Sequence, residues 1–202
     1  MVLYGNRGSI SIYALKCWRG KIYMSRLIKI RNVYYHILEG NPFIFSDERI
    51  KKKLLDIVLE IQRSEEWTIC AFCIMDETAH FVTESASMES VQNGMQRIAD
   101  SFLKRCPRTL PGWQGLPMTL RMVGTALLKT AQEVAFCCRK VHRIPLEEGY
   151  VDRLADYWWS SYITYAGIYD WRIVDCRRFS EYYLYGEKSA LLQLQHFHGE
   201  IE

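Results

Sequence analysis

The feature that most restricts how this chain can fold lies between Ile50 and Phe102. There, two amphipathic helical stripes enclose a pair of strand-like runs. Ile50, Leu54, Ile57, Val58 and Ile61 recur in steps of three and four, which puts their side chains on one side of a helix. Met88, Val91, Met95, Ile98 and Phe102 repeat that spacing. Between them, residues 67–75 have the continuous apolar character of a buried strand. Residues 79–84 return from it after the short polar turn at Asp76 and Glu77, so the two runs are expected to pair as a hairpin. One-sided helices must bury their apolar stripe against another layer, and that requirement points to a layered α+β fold.

The flanking sequence completes the pattern. Residues 33–38 form a short β-rich run closed by Gly40-Asn41-Pro42. Ser46 offers an N-cap for the first helix, and Asp47 and Glu48 favour its positive end. Pro107, Pro111, Gly112, Gly115 and Pro117 mark a loop, with a fourth strand expected around residues 118–123. A third helix is expected from Thr130, with Glu133 completing a capping box. Its stripe is Val134, Cys137, Cys138 and Val141, and Pro145 falls just beyond its expected end. Strand, helix, strand, strand, helix, strand predicts a ferredoxin-like antiparallel sheet with helices on one face. Residues 1–23 read as an N-terminal extension, with two candidate strands at 9–15 and 21–28.

At 202 residues and 49% hydrophobic, the chain can bury one ordinary core. A net charge of +3 neither demands nor excludes nucleic acid, so a DNA site needs a local concentration of basic residues. Seven cysteines, an odd number without framework spacing, read as free thiols and suggest a cytoplasmic location. No apolar run approaches the roughly 18 residues of a membrane span, and the N-terminus lacks a secretory pattern. Cys70 and Cys73 are three apart on a strand and so face opposite ways, which favours core packing over zinc binding. Cys137 and Cys138 likewise read as helix packing, and His36 and His142 as structural histidines. Lys51, Lys52 and Lys53 read as a solvated helix face.

Several segments, in order, resemble the REP-associated tyrosine transposases, a family of single-tyrosine HUH transposases. Met24-Ser25-Arg26, Tyr34-Tyr35-His36-Ile37 and Gly40-Asn41 are similar to that family's opening. Ile74-Met75-Asp76-Glu77-Thr78-Ala79-His80 resembles its Met-Pro-Asn-His-hydrophobic-His segment. Met95-Gln96-Arg97-Ile98 and Trp113-Gln114-Gly115 match later pieces. Asp156-Tyr157-Trp158-Trp159-Ser160-Ser161-Tyr162 is one residue away from the family's Asp-Tyr-Pro-Trp-Ser-Ser-Tyr signature. The tail through Phe179, Gly186, Ala190 and Phe197 resembles its C-terminal extension. The resemblance implies a transposase-like domain over residues 24–170 and a helical tail over 171–202.

In that family a tyrosine attacks a DNA phosphodiester while a divalent metal, held by the two strand histidines, polarises the phosphate. The resemblance carries these roles to the following positions. The second histidine is His80, but the first is Thr78, a poor metal ligand. The nucleophile position is Lys140 and the third ligand position is Ile144. Three departures at three separated positions imply a pseudoenzyme, with Mg²⁺ or Mn²⁺ needed only if the site is remodelled around Asp76, Glu77 and His80. A replacement nucleophile would come from Tyr150, Tyr157, Tyr162, Tyr165 or Tyr169.

The implied partner is hairpin or single-stranded DNA, bound by a monomer or homodimer away from membranes. Candidate phosphate contacts are Arg26, Lys29, Arg31, Arg97, Lys104, Arg105, Arg108, Arg139, Lys140 and Arg143. Trp113 and Tyr34 are candidates to stack on an unpaired base. Two other readings remain open on the sequence: metal-dependent strand nicking by a remodelled site, and a protein-interaction remnant without a DNA role.

Overall fold

The computed structural model describes residues 32–106, 118–176 and 197–199, together with the backbone of short strands before residue 32. Four strands form the central sheet: β1, Asn32–Gly40; β2, Thr68–Ile74; β3, Thr78–Ser85; and β4, Leu120–Leu128. Their order is β2-β3-β1-β4, and every pairing is antiparallel. Helices α1, Glu48–Glu65, and α2, Met88–Arg105, make the two crossovers. This is the ferredoxin-like α+β arrangement expected from the order of elements.

The sheet's two faces follow from the two-residue alternation of strands. On one face His36, Leu38 and Phe81 are fully buried. Thr125, opposite His36 on β4, reaches Met88 Sδ at the start of α2 with its hydroxyl, at 3.6 Å. The two crossover helices therefore share this face. The segments flanking α1 meet α2 through the edge-on contact of Phe45 and Phe102 and the Trp67 indole N–H donating to Ser90 Oγ at 3.0 Å. Gly94 permits that approach, because a Cβ there would sit 2.2 Å from the Trp67 ring.

Helix α3, Ala131–Glu147, lies against the opposite face over β2 and β3. Its start matches the expected capping box in part. Thr130 Oγ1 accepts from the Glu133 amide, whereas the Glu133 carboxylate reaches back to the Lys129 amide. Pro145 lies inside the helix rather than beyond it, in the last turn. At the start of α1 the cap is Asp47, which accepts from the Arg49 amide; the Ser46 hydroxyl donates to the Phe43 carbonyl instead. Strand β4 runs on to Leu128, five residues past the expected end.

The outer edge of β2 is covered. The Ile74 amide donates to the Trp159 carbonyl and the Ser161 amide to the Phe72 carbonyl, both at 2.9 Å. Ser161 Oγ also accepts from the Phe72 amide and contacts His142 Nε2 at 2.7 Å. His142 Nδ1 in turn lies 2.9 Å from His198 Nε2. The segment that resembles the transposase signature thus acts here as a strap, satisfying an edge that would otherwise be open.

Upstream, Gly5–Asn6, Ser9–Ile12 and Ile28–Lys29 form a separate antiparallel sheet, and Leu15–Trp18 pairs with Lys21–Met24. The two strands expected at 9–15 and 21–28 are therefore shorter and more numerous. Among the described residues no helix is long and apolar enough to cross a membrane.

Candidate nucleic-acid site on the α3 face

His80 sits near the start of β3, in register with Ile37 on β1 and Cys73 on β2. Alternation places Thr78 on the same face of β3, and the β1 register brings Tyr35 to that face from the neighbouring strand. Both ring nitrogens of His80 have hydroxyl partners. Tyr35 Oη lies 2.8 Å from Nδ1, and Thr78 Oγ1 lies 3.0 Å from Nε2. The Tyr35 and His80 rings run nearly parallel, 14° apart in plane, with centroids 6.1 Å apart.

Helix α3 packs on the same face, and the three side chains stay partly exposed. Lys140 projects from it, exposed, and one turn later Ile144 is buried in the apolar core. Burial, reinforced by the Lys140 charge, pushes the His80 imidazole down to about 4, so the ring is neutral at pH 7. Burial also pushes the Tyr35 phenol up to about 12. Across Glu39 from Thr78, β4 contributes Arg121, whose guanidinium is 3.8 Å from the Glu39 carboxylate and largely exposed.

The other expected ligands are elsewhere. Asp76 accepts from the Lys51 ammonium at 3.1 Å and from the Tyr150 hydroxyl at 3.4 Å, and Glu77 is exposed on the turn. Among the described residues no three His, Cys, Asp or Glu side chains converge as a metal site. The candidate trio of Asp76, Glu77 and His80 therefore does not assemble. Lys51 also departs from its expected place on a solvated face. It is 5% exposed and lies beside the Tyr157 hydroxyl and ring as well as Asp76.

A divalent metal does not fit this position. Thr78 offers a neutral hydroxyl and Ile144 offers no donor, which leaves His80 as the one imidazole or carboxylate ligand among these three.

None of the candidate replacement tyrosines is hydrogen-bonded to His80. Tyr157 donates to the Ile74 carbonyl and Tyr165 to the Cys70 carbonyl, Tyr162 is buried, and Tyr169 packs tilted against Trp158 and edge-on against Trp171.

The basic candidates divide between two helices on opposite faces of the sheet. On α2, Arg97 is paired with Glu65 and Arg105 with Glu60, while Lys104 is exposed. On α3, Arg139 donates to the Phe197 carbonyl and lies over the Phe197 ring. Arg143 donates to Glu147 and to the His198 carbonyl. Lys140 makes no hydrogen bond or ion pair among the described residues. Tyr34, a candidate for stacking, is 4% exposed in the core and has no open ring face to offer a base. Arg26, Arg31, Arg108, Trp113 and the side chain of Lys29 lie outside the described residues.

Sequence reasoning missed Tyr35 and Arg121 as members of this site. Their signal is the strand register, which places Tyr35 diagonally beside His80 and Arg121 one strand beyond Glu39.

No family model matches the chain, and no curated protein matches it. Among solved structures it is similar to a REP-associated tyrosine transposase bound to a REP hairpin. The match has 12% sequence identity and a TM-score of 0.55, and covers 73% of this chain and 90% of that one. At that identity the likeness is one of fold.

Proposed function

We propose that this protein is a transposase-like DNA-binding protein that recognises hairpin or single-stranded DNA and does not carry out the tyrosine transposase reaction. The observation that carries this reading is the shared fold with a transposase bound to a DNA hairpin. Support for the loss of the reaction comes from the residues at the three reactive positions. Threonine, lysine and isoleucine stand at 78, 140 and 144, and none supplies the ligand or nucleophile the reaction needs. Binding spreads over many phosphate contacts and tolerates such changes, whereas cleavage depends on a few aligned groups.

The test is a panel of fluorescent hairpin and single-stranded DNAs, with and without Mn²⁺, resolved on native and denaturing gels. The expected result is shifted, uncut DNA whose affinity falls steeply as salt rises. Cut DNA or a covalent adduct would overturn the inactivity reading, and no shift with any probe would overturn the DNA reading.

A further inference from the structure

We propose that the Thr78–His80–Tyr35 site takes a DNA backbone phosphate directly, without a divalent ion, with the Lys140 ammonium supplying the positive charge and the Thr78 hydroxyl donating to a phosphate oxygen. This rests on the DNA-binding reading and identifies the group that the site holds.

Among the described residues, the Tyr35 hydroxyl has His80 Nδ1 as its one hydrogen-bond partner. The phenol is half-buried, and with a ring nitrogen as its one protein partner its O–H is placed to donate to Nδ1. Donation to Nδ1 fixes the neutral tautomer of His80 with its proton on Nε2. That N–H points at Thr78 Oγ1, 3.0 Å away. Thr78 therefore accepts from the ring and keeps its own O–H free to donate outward. The chain of donors runs from the half-buried phenol to the half-buried threonine, and its open end carries a hydrogen, which suits an anion.

The same assignment disfavours a metal. The Nδ1 lone pair is taken by Tyr35 and Nε2 carries a proton, so a metal at Nε2 would have to displace the Thr78 hydroxyl and reverse the Tyr35 hydrogen bond. A cation is nevertheless present. Lys140, on α3, is near enough for its charge to act on His80 and has no counter-ion among the described residues, whereas Arg121, across Glu39, is paired with that residue's carboxylate. An ammonium attracts phosphate as a point charge and needs no coordination geometry. Lysine at the nucleophile position and threonine at the ligand position thus form one consistent set. Together they replace a metal-bridged phosphate by a hydrogen-bonded and ion-paired one.

Two measurements test this. First, anisotropy of a fluorescent hairpin with a single-stranded flank is followed in EDTA and in Mn²⁺, for the wild type, Lys140→Ala, Lys140→Arg, Thr78→Val and Thr78→Ser. Affinity is expected to be the same in EDTA and Mn²⁺. Lys140→Ala should weaken it by roughly three- to tenfold, with the salt slope reduced by about one. Lys140→Arg and Thr78→Ser should bind close to wild type, and Thr78→Val should lose a smaller factor. Lys140 is exposed, so its replacement leaves the fold intact.

Second, inorganic phosphate in EDTA is titrated against the protein while the His80 ring nitrogens are followed by NMR. A saturable shift that disappears in Lys140→Ala is expected. Binding abolished by EDTA, or greatly strengthened by Mn²⁺, overturns the proposal. So does hairpin binding that is unchanged in Lys140→Ala together with a His80 ring that ignores phosphate, although the DNA reading then stands. A phosphate-sensitive His80 in a protein that binds no hairpin sustains the anion site and overturns the DNA reading.

Discussion

On the α1/α2 face of the sheet, His36 is completely buried against Phe81, with its Nε2 3.3 Å from the Thr83 hydroxyl and its Nδ1 without a partner. On the α3 face, His80 lies half-buried on the adjacent strand, with hydroxyls on both nitrogens and an unpaired lysine nearby. Both rings are held neutral, His36 pushed down to about 3 and His80 to about 4, with burial as the largest cause in each. Neutrality is therefore no mark of function here. The difference lies in what surrounds each ring. The first face is closed by aromatic and aliphatic packing, while the second ends in polar groups that open toward solvent. A single sheet thus sets a fully buried histidine and a partly exposed one on opposite faces by the two-residue period of its strands.

The largest effect expected from this contrast is on stability. Phe81→Ala, on the closed face where the ring is 0% exposed, should cost about 3–5 kcal/mol in urea denaturation. His80→Ala on the open face should cost about 1 kcal/mol. Equal costs would break the distinction between a packing face and a site face.

The next effect is on pH. His36 and His142 have folded-state values depressed below the ordinary imidazole range by burial, so the folded protein binds fewer protons than the unfolded chain. Their contribution is complete above pH ~6.5 and declines as pH falls toward the folded-state values. For His36 alone the loss at pH 5 is roughly 2 kcal/mol. Comparing urea midpoints at pH 7 and pH 5 should show this fall, and His36→Gln should flatten part of it. A variant with the full wild-type pH dependence would show that His36 is not the group titrating.

The smallest effect concerns Tyr35. Tyr35→Phe should cost about 1 kcal/mol and release the tautomer of His80, visible as a changed balance between its ring nitrogens by NMR. An unchanged tautomer would show that Thr78 alone orients the ring.

Much of the fold was legible because it is written in local periods. The three-and-four spacing of Ile50 to Ile61 and of Met88 to Phe102, and the hairpin about Asp76 and Glu77, led to the four-stranded sheet. Boundaries that depend on competition between neighbours were less legible. Asp47 rather than Ser46 took the helix cap, and Pro145 was accommodated in the final turn of α3. The site was legible only in part. Its residue identities at 78, 80, 140 and 144 are explicit in the chain, but their partners are not.

The sequence by itself determined the order of elements, the faces of the helices and the residue types at 78, 80, 140 and 144. These depend on residue type and short-range spacing alone. The tertiary structure decided that Tyr35 and Thr78 grip His80 from two strands, that Arg121 comes close across Glu39, and that Lys51 is buried against Asp76. It also decided that the described basic residues divide between opposite sides of the sheet. Those outcomes depend on register and packing between segments tens of residues apart, where one residue of slippage would turn each side chain to the other face.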